Sequence, residues 1–245
     1  MGDFALKIEN VSKTFGNGFK ALKDLSFTVE KSEFVVIGGK NGSGKSLLMN
    51  LIAGLDEPSS GKIYVKKNSV GLVFQNADAQ ILGETPDEDI LFGLRQLKLP
   101  KDKISVKISL ALEKTGLSQK RKFPAREMSG GEKRRLAVAG ILAMERDIII
   151  LDEPFANLDY PGVIQVCNIL KELKQSHKTV IVLTHELEKI LSLADRFIIL
   201  NNGEICFNGS PEEGLKLNLE EFGIRNPLVQ YKSAEDLFWG TRETD

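Results

Sequence analysis

The sequence predicts an α/β fold with a parallel-sheet core, an antiparallel β subdomain and an inserted α-helical subdomain. Three observations support this prediction. Residues 4–29 alternate apolar and polar residues, which is typical of antiparallel strands with one buried face. Residues 148–151, 179–183 and 197–200 are short and almost wholly apolar, as in strands buried on both faces of a parallel sheet. Between these regions, from about residue 79 to 144, the apolar spacing is helical.

Each element has its own local signal. The apolar run 34–37 predicts a buried strand, and the helix-forming run 47–53 ends at Gly54. Residues 61–66 and 70–74 predict two more strands, and residues 87–97, 103–115 and 129–144 predict three helices. Ser129 and Glu132 have the spacing of a capping box. From residue 146 onward, strands and helices are expected to alternate.

A glycine-rich loop separates the strand at 34–37 from the helix that follows. Its sequence fits G-x-x-x-x-G-K-[ST] and comprises Gly39, Lys40, Asn41, Gly42, Ser43, Gly44, Lys45 and Ser46. In this context the backbone N–H groups and the helix dipole can surround a polyphosphate. Lys45 would reach the β- and γ-phosphates, and the Ser46 hydroxyl would bind Mg²⁺. The sequence therefore predicts a P-loop NTPase core.

Two acidic residues, Asp152 and Glu153, end the apolar strand 148–151. In a doubly wound sheet, that strand end lies beside the P-loop. Asp152 would then hold the Mg²⁺ that Ser46 also contacts, and Glu153 would polarise an attacking water. The residues alone leave a second interpretation open, namely an ordinary pair of surface acids at a strand end.

A second anion-binding helix end is predicted where Ser129, Gly130 and Gly131 open the third inserted helix. One nucleotide does not need two such sites in the same chain. The second would therefore serve a nucleotide held by another subunit.

With these motifs, residues 4–215 resemble the nucleotide-binding subunit of an ATP-binding cassette (ABC) transporter. Residues 39–46 match the Walker A loop, 148–153 match Walker B, and 129–131 match the signature loop, which the family writes LSGGQ. The resemblance implies a RecA-like core, ATP and Mg²⁺ as cofactors, and ATP hydrolysis. Residues 1–215 would form the ATPase domain, with the helical insertion at about 79–144, and residues 216–245 would form a short C-terminal extension.

Four further positions match this family. Gln75 matches the Q-loop residue that binds the metal and senses the membrane partner, and His185 matches the switch histidine that contacts the γ-phosphate. Asp159 lies in the D-loop, which crosses to the other subunit, and Phe15 would stack on adenine. The resemblance thus implies catalytic roles for Glu153, His185 and Gln75, and metal ligation by Ser46, Gln75 and Asp152.

Several positions depart from the family pattern. Leu47 replaces a Thr near the α-phosphate, Lys40 replaces a common Pro, and Phe15 replaces the usual Tyr. Met128 and Glu132 stand at the edges of the signature in place of Leu and Gln. Because Ser129–Gly131 are retained, the signature is expected to function.

The region after Gln75 resembles one group of importers. Residues 74–82 and 87–93 are similar to the "FQNPDDQ" and "EDVAFG" runs of energy-coupling-factor and cobalt/nickel transporters, although Ala77 and Ala79 replace Pro and Asp. This resemblance implies three partners: a second ATPase subunit, identical or related, a transmembrane scaffold and a small substrate-capturing membrane protein. The cargo would be a vitamin or a transition-metal ion, and the chain would lie at the cytoplasmic face of the cell membrane.

The composition of the chain excludes some alternative functions. Lys plus Arg (33) nearly balance Asp plus Glu (34), and no aromatic residues interleave with the basic cluster 133–135, which is expected to be an exposed helix face. A nucleic-acid partner is therefore not expected, which argues against a chromosome or DNA-repair ATPase. No apolar run approaches the roughly 18 residues of a membrane span. Two alternatives remain: the ATPase of another importer, and a soluble ABC ATPase in iron–sulfur cluster assembly.

Overall fold

The computed structural model describes residues 4–234 as two sheets and a helical subdomain, which is inserted in the chain between two strands of the larger sheet. The strands are β1 (Phe4–Thr14), β2 (Lys20–Glu30), β3 (Phe34–Gly38), β4 (Ser60–Val65), β5 (Val70–Val73), β6 (Ile148–Asp152), β7 (Thr179–Thr184), β8 (Arg196–Asn201) and β9 (Glu204–Gly209). The helices are α1 (Lys45–Ile52), α2 (Pro86–Arg95), α3 (Lys101–Lys114), α4 (Gly130–Met144), α5 (Tyr160–Gln175) and α6 (Pro211–Gly214).

The larger sheet has the order β5-β6-β7-β3-β8-β9. Strands β3, β5, β6, β7 and β8 run parallel to one another, and β9 pairs antiparallel with β8 at the edge. Every residue of β3, β6 and β7 is buried, which confirms the prediction of strands covered on both faces. The carboxyl ends of β3, β6 and β7 therefore meet at one edge of the sheet.

The smaller sheet has the order β2-β1-β4 and is antiparallel, as the alternation in residues 4–29 predicted. Its apolar face packs with α1 against one face of the parallel sheet. The other face of the parallel sheet packs against α4 and α5. Consequently α1, which begins at the glycine-rich loop, is held between two buried layers.

The helical subdomain has a core of its own. Helices α2, α3 and α4 contribute Ile90, Leu94, Leu112 and Leu136, all fully buried, to an apolar cluster separate from those of the sheets. The predicted capping box is present at the start of α4, where Ser129 and Glu132 exchange hydrogen bonds. This cap sets the direction in which α4 leaves the preceding loop.

Three features differ from the sequence expectations or extend them. The helix expected after β7 is replaced by two short 3-10 turns, and Ile190 between them has a non-helical φ of −142°. Strand β9 was not predicted. Within the stretch predicted to form the C-terminal extension, Leu219 and Ile224 are buried in the main core. The apolar residues 237–239 lie outside the described residues, and within 4–234 no helix is long and apolar enough to cross a membrane.

Candidate nucleotide-binding site

The glycine-rich loop borders a cleft of about 770 Å³ at the carboxyl edge of the parallel sheet. Gly39 has φ 155°, and a Cβ there would lie 2.2 Å from the carbonyl oxygen of Leu200. Gly44 has φ 108° and precedes the first residue of α1. Both positions therefore require glycine, because a side chain would collide with the neighbouring strand or force a strained backbone.

Lys45 points into the loop that precedes it. Its ammonium is buried and donates to the carbonyl oxygens of Gly39, at 2.6 Å, and of Lys40, at 3.2 Å. The Glu153 carboxylate lies 3.7 Å away. Burial lowers the pKa of Lys45, and Glu153 and Asp152 oppose this effect. The loop thus holds a cation at the helix N-terminus, where the fold can accept an anion.

Glu153 is held by the end of the neighbouring strand. Its backbone has φ 44°, which is uncommon for a residue with a side chain, and its N–H donates to the carbonyl oxygen of Leu183 at 2.8 Å. The Thr184 hydroxyl donates to Oε2 at 3.0 Å, and Nδ1 of His185 lies 2.9 Å from Oε1. The last residue of strand β7 and the residue that follows it therefore supply two partners that orient this carboxylate.

Asp152 is the buried acid beside the loop. Burial raises its pKa, while a hydrogen bond with Ser46 lowers it. Its Oδ1 is buried and has no hydrogen-bond partner in the described part of the chain. The hydroxyl of Ser46 and the exposed amide of Gln75 line the same cleft. This oxygen-rich set with an unsatisfied buried carboxylate oxygen fits a hard divalent cation such as Mg²⁺.

Arg134 connects these elements and corrects one expectation. The basic cluster 133–135 was expected to be an exposed helix face, but Arg134 is only 3% exposed. Its guanidinium donates to the carbonyl oxygens of Glu153, at 2.8 Å, Asp152, at 3.4 Å, and Gln75. These three acceptors explain why a charged side chain is buried here.

The predicted second anion site lies elsewhere. Ser129 and Gly130 are exposed at the start of α4, and in residues 4–234 the cleft lining includes no part of the 129–131 segment. The Ser129 hydroxyl accepts from the N–H of Glu132, so its own hydrogen can face outward. Asp159 is also exposed and caps α5 by accepting from the N–H of Gly162 at 3.0 Å.

An aromatic pair closes the other end of the cleft. Phe15 and Phe19 are 44% and 63% exposed and both line it. The N–H of Phe15 donates to the carbonyl oxygen of Phe19 at 2.9 Å, which holds the two residues in one turn. A flat apolar ring at this position can stack on a base.

Most of the predicted residues meet at this cleft. The lining includes Phe15, Asn41, Gly42, Gly44, Lys45, Ser46, Leu47, Gln75, Asp152 and Glu153. Gly39, Lys40 and Ser43 belong to the glycine-rich loop. His185 is linked to the cleft by its contact with Glu153. Their roles toward a nucleotide stay predictions. Sequence reasoning missed Phe19, Arg134 and Thr184. Thr184 could have been found from the sequence, because it stands next to His185 at the end of a buried strand.

Three comparisons with known proteins, by family, by sequence and by structure, agree with one another. The family described as ABC transporter matches residues 22–156. The energy-coupling factor transporter ATP-binding protein EcfA2 of Caldanaerobacter subterraneus subsp. tengcongensis is 39% identical over 94% of this chain and 88% of the relative. EcfA1 of Streptococcus sanguinis is 40% identical over 85% of this chain and 80% of the relative. The solved cbiO1 of Clostridium perfringens, part of the ABC transporter complex cbiONQ, has TM-score 0.78 and 32% identity, covering 87% of this chain and 91% of that one.

Proposed function

Since this chain belongs to the ABC transporter family of ATP-binding proteins, we propose that it is the ATPase subunit of an energy-coupling factor transporter. The proposal is carried by one observation: Lys45, Asp152 and Glu153 converge at the cleft beside the P-loop, and His185 contacts the Glu153 carboxylate. This arrangement suits phosphoryl transfer to water, because it combines a phosphate-binding loop with an oriented carboxylate.

Two subunits would close head to tail around two ATP molecules. In each site, Phe15 stacks on adenine and residues 39–47 surround the phosphates. The exposed Ser129–Gly131 loop and Asp159 reach the nucleotide of the opposite subunit. Their location outside the cleft of their own chain supports this division, since an exposed helix N-terminus offers N–H donors to an anion arriving from another molecule.

Hydrolysis would use the carboxylate that Thr184 and His185 orient. Glu153 accepts a proton from the attacking water as the water approaches the γ-phosphate. His185, whose side chain is 46% exposed, is accessible to the γ-phosphate and stabilises the charge that develops there. Ser46, Gln75 and Asp152 would hold Mg²⁺, which supplies charge neutralisation for the phosphate oxygens when bound.

The coupled partners would be membrane proteins. A second groove is lined by residues 74–79, Lys133 and Asn157 and also by Ser46, Asp152 and Gly130. A partner seated there would contact Gln75, a proposed ligand of the metal. The proposed partners are a second ATPase subunit, identical or related, a transmembrane scaffold and a substrate-capturing membrane protein for a vitamin or a transition-metal ion. The chain would lie peripherally at the cytoplasmic face of the membrane.

The stacking role of Phe15 can be tested against its neighbour. Phe15→Ala is expected to weaken ATP binding about tenfold, because it removes base–aromatic stacking. Phe19→Ala is the matched control and should change affinity less than about twofold, since the proposal places the ring of Phe15, and not that of Phe19, against the adenine. Binding would be measured by isothermal titration calorimetry. The assignment is wrong if Phe19→Ala shows the larger loss.

The transport role can be tested by capture of the tagged chain from detergent-solubilised membranes. Co-purifying proteins would be identified by mass spectrometry. A multi-span scaffold together with a small membrane protein supports the proposal and identifies the substrate route. A scaffold recovered with a periplasmic binding protein would assign the chain to another importer, and soluble partners alone would overturn the transport role.

A further inference from the structure

Glu132 introduces a negative charge beside the proposed phosphate-binding end of α4. It occupies the third position of the helix, and both of its carboxylate oxygens have partners in its own subunit. Oε2 accepts from the N–H of Ser129 at 3.0 Å, and Oε1 lies 2.5 Å from the ammonium of Lys120. The side chain is only 16% exposed, so water screens its charge incompletely.

Lys120 is itself held in position. It ends a 3-10 turn, Ser118–Lys120, and its carbonyl oxygen accepts from the N–H of Phe123 at 2.9 Å. This turn places the Phe123 ring 4.7 Å from the ammonium, within the range of a cation–π contact. The lysine thus has two partners, one anionic and one aromatic, which together restrict it to the neighbourhood of Glu132.

We propose that Lys120 is a positioning residue that neutralises Glu132 and thereby keeps the Ser129–Gly131 end of α4 competent to receive the γ-phosphate of the ATP bound by the opposite subunit. This inference rests on the proposed ATP-sandwich function. Without the ammonium, a partly buried carboxylate would face a polyphosphate across the interface.

The capping box holds the charged side chain of Glu132 at the start of α4. Glu132 orients Ser129 by accepting its N–H, and the Ser129 hydroxyl in turn accepts the N–H of Glu132 at 3.3 Å. The hydrogen bond with Lys120 lowers the pKa of Glu132, although burial opposes this effect. The carboxylate therefore stays ionised rather than losing its charge by protonation. A neutral amide at this position would not need the lysine.

A double-mutant cycle isolates this pairing. The ATP concentration that gives half-maximal dimer would be measured by light scattering in a Glu153→Gln background, with the chain alone or with a related ATPase recovered with it. Lys120→Met should raise that concentration about fivefold, because it removes the ammonium that contacts the Glu132 carboxylate and leaves the weaker Coulombic effect of Arg135. With Lys120→Arg, the ATP concentration for half-maximal dimer should equal that of the Glu153→Gln reference. With Lys120→Met and Glu132→Gln combined, it should lie within about twofold of the reference.

A second readout separates this effect from a loss of structure. At protein concentrations too low for dimerisation, ATP binding to the chain's own P-loop should stay unchanged in Lys120→Met, and the melting temperature should fall by no more than about 4 °C. The inference would be overturned if Lys120→Met weakened ATP-dependent dimer formation equally with Glu132 and with Glu132→Gln. Weaker ATP binding by the Lys120→Met monomer would also overturn it. If the Glu153→Gln reference forms no ATP-dependent dimer in either setting, the proposed ATP sandwich itself is contradicted.

Discussion

Replacing Glu153 by Gln is expected to slow ATP hydrolysis by about a thousandfold while ATP still drives dimer formation. The substitution keeps the size of the side chain and removes the oxygen charge that would accept a proton from water. The backbone at φ 44° and the contact with Thr184 can be retained, because an amide oxygen can still accept that hydrogen bond. The loss should therefore fall on the chemical step rather than on nucleotide binding.

Steady-state phosphate release and light scattering with ATP would measure the two effects. Glu186→Gln is a suitable control, since Glu186 lies next to His185 but pairs with Lys189 rather than facing the cleft. Its hydrolysis rate should stay within about twofold of the wild type, as is usual for changes outside catalytic contacts. A Glu153→Gln protein that hydrolyses ATP at the wild-type rate would remove Glu153 from its proposed role.

Replacing Arg134 by Met is expected to destabilise the protein by about 3 kcal/mol. The change leaves the carbonyl oxygens of Gln75, Asp152 and Glu153 without their guanidinium donor. It also removes a positive charge from the neighbourhood of two buried carboxylates. Buried groups left unpaired in this way carry a large desolvation penalty, and the volume of Met does not relieve it.

Urea denaturation would measure this loss of stability. Arg126→Met is the matched control, because Arg126 lies on the same subdomain and its side chain is 86% exposed. Among residues 4–234, its ion pair is with Glu127 at 3.7 Å. An exposed ion pair of this kind contributes less than about 1 kcal/mol. Similar free energies of unfolding for the two variants would show that the buried contacts of Arg134 do not stabilise the fold.

Local patterns carried much of the prediction. The glycine-rich loop could be recognised because Gly39, Gly44 and Lys45 meet requirements that act over a few residues, namely φ values and close approach to a phosphate. The buried strands could be recognised because β6 and β7 are covered on both faces and so allow almost no polar residue. The capping box could also be recognised from the sequence, because its two partners, Ser129 and Glu132, are only three residues apart.

Contacts between distant residues could not be read in this way. Arg134 resembles its basic neighbours in sequence, yet the packing of α4 brings it to carbonyl oxygens of residues 75, 152 and 153. The pairing of Glu132 with Lys120, twelve positions earlier in the sequence, depends on a 3-10 turn without a strong local signal.

The sequence by itself determined the class of fold, the phosphate-binding loop and the acids at the end of β6, because backbone conformation and burial of a single strand or turn are encoded locally. Only the tertiary structure decided that Thr184 and His185 orient Glu153, that Arg134 is buried beneath it, and that the Ser129 end of α4 lies outside its own cleft. These arrangements depend on the pairing order of the strands and the direction of α4, which arise when separate apolar faces pack together.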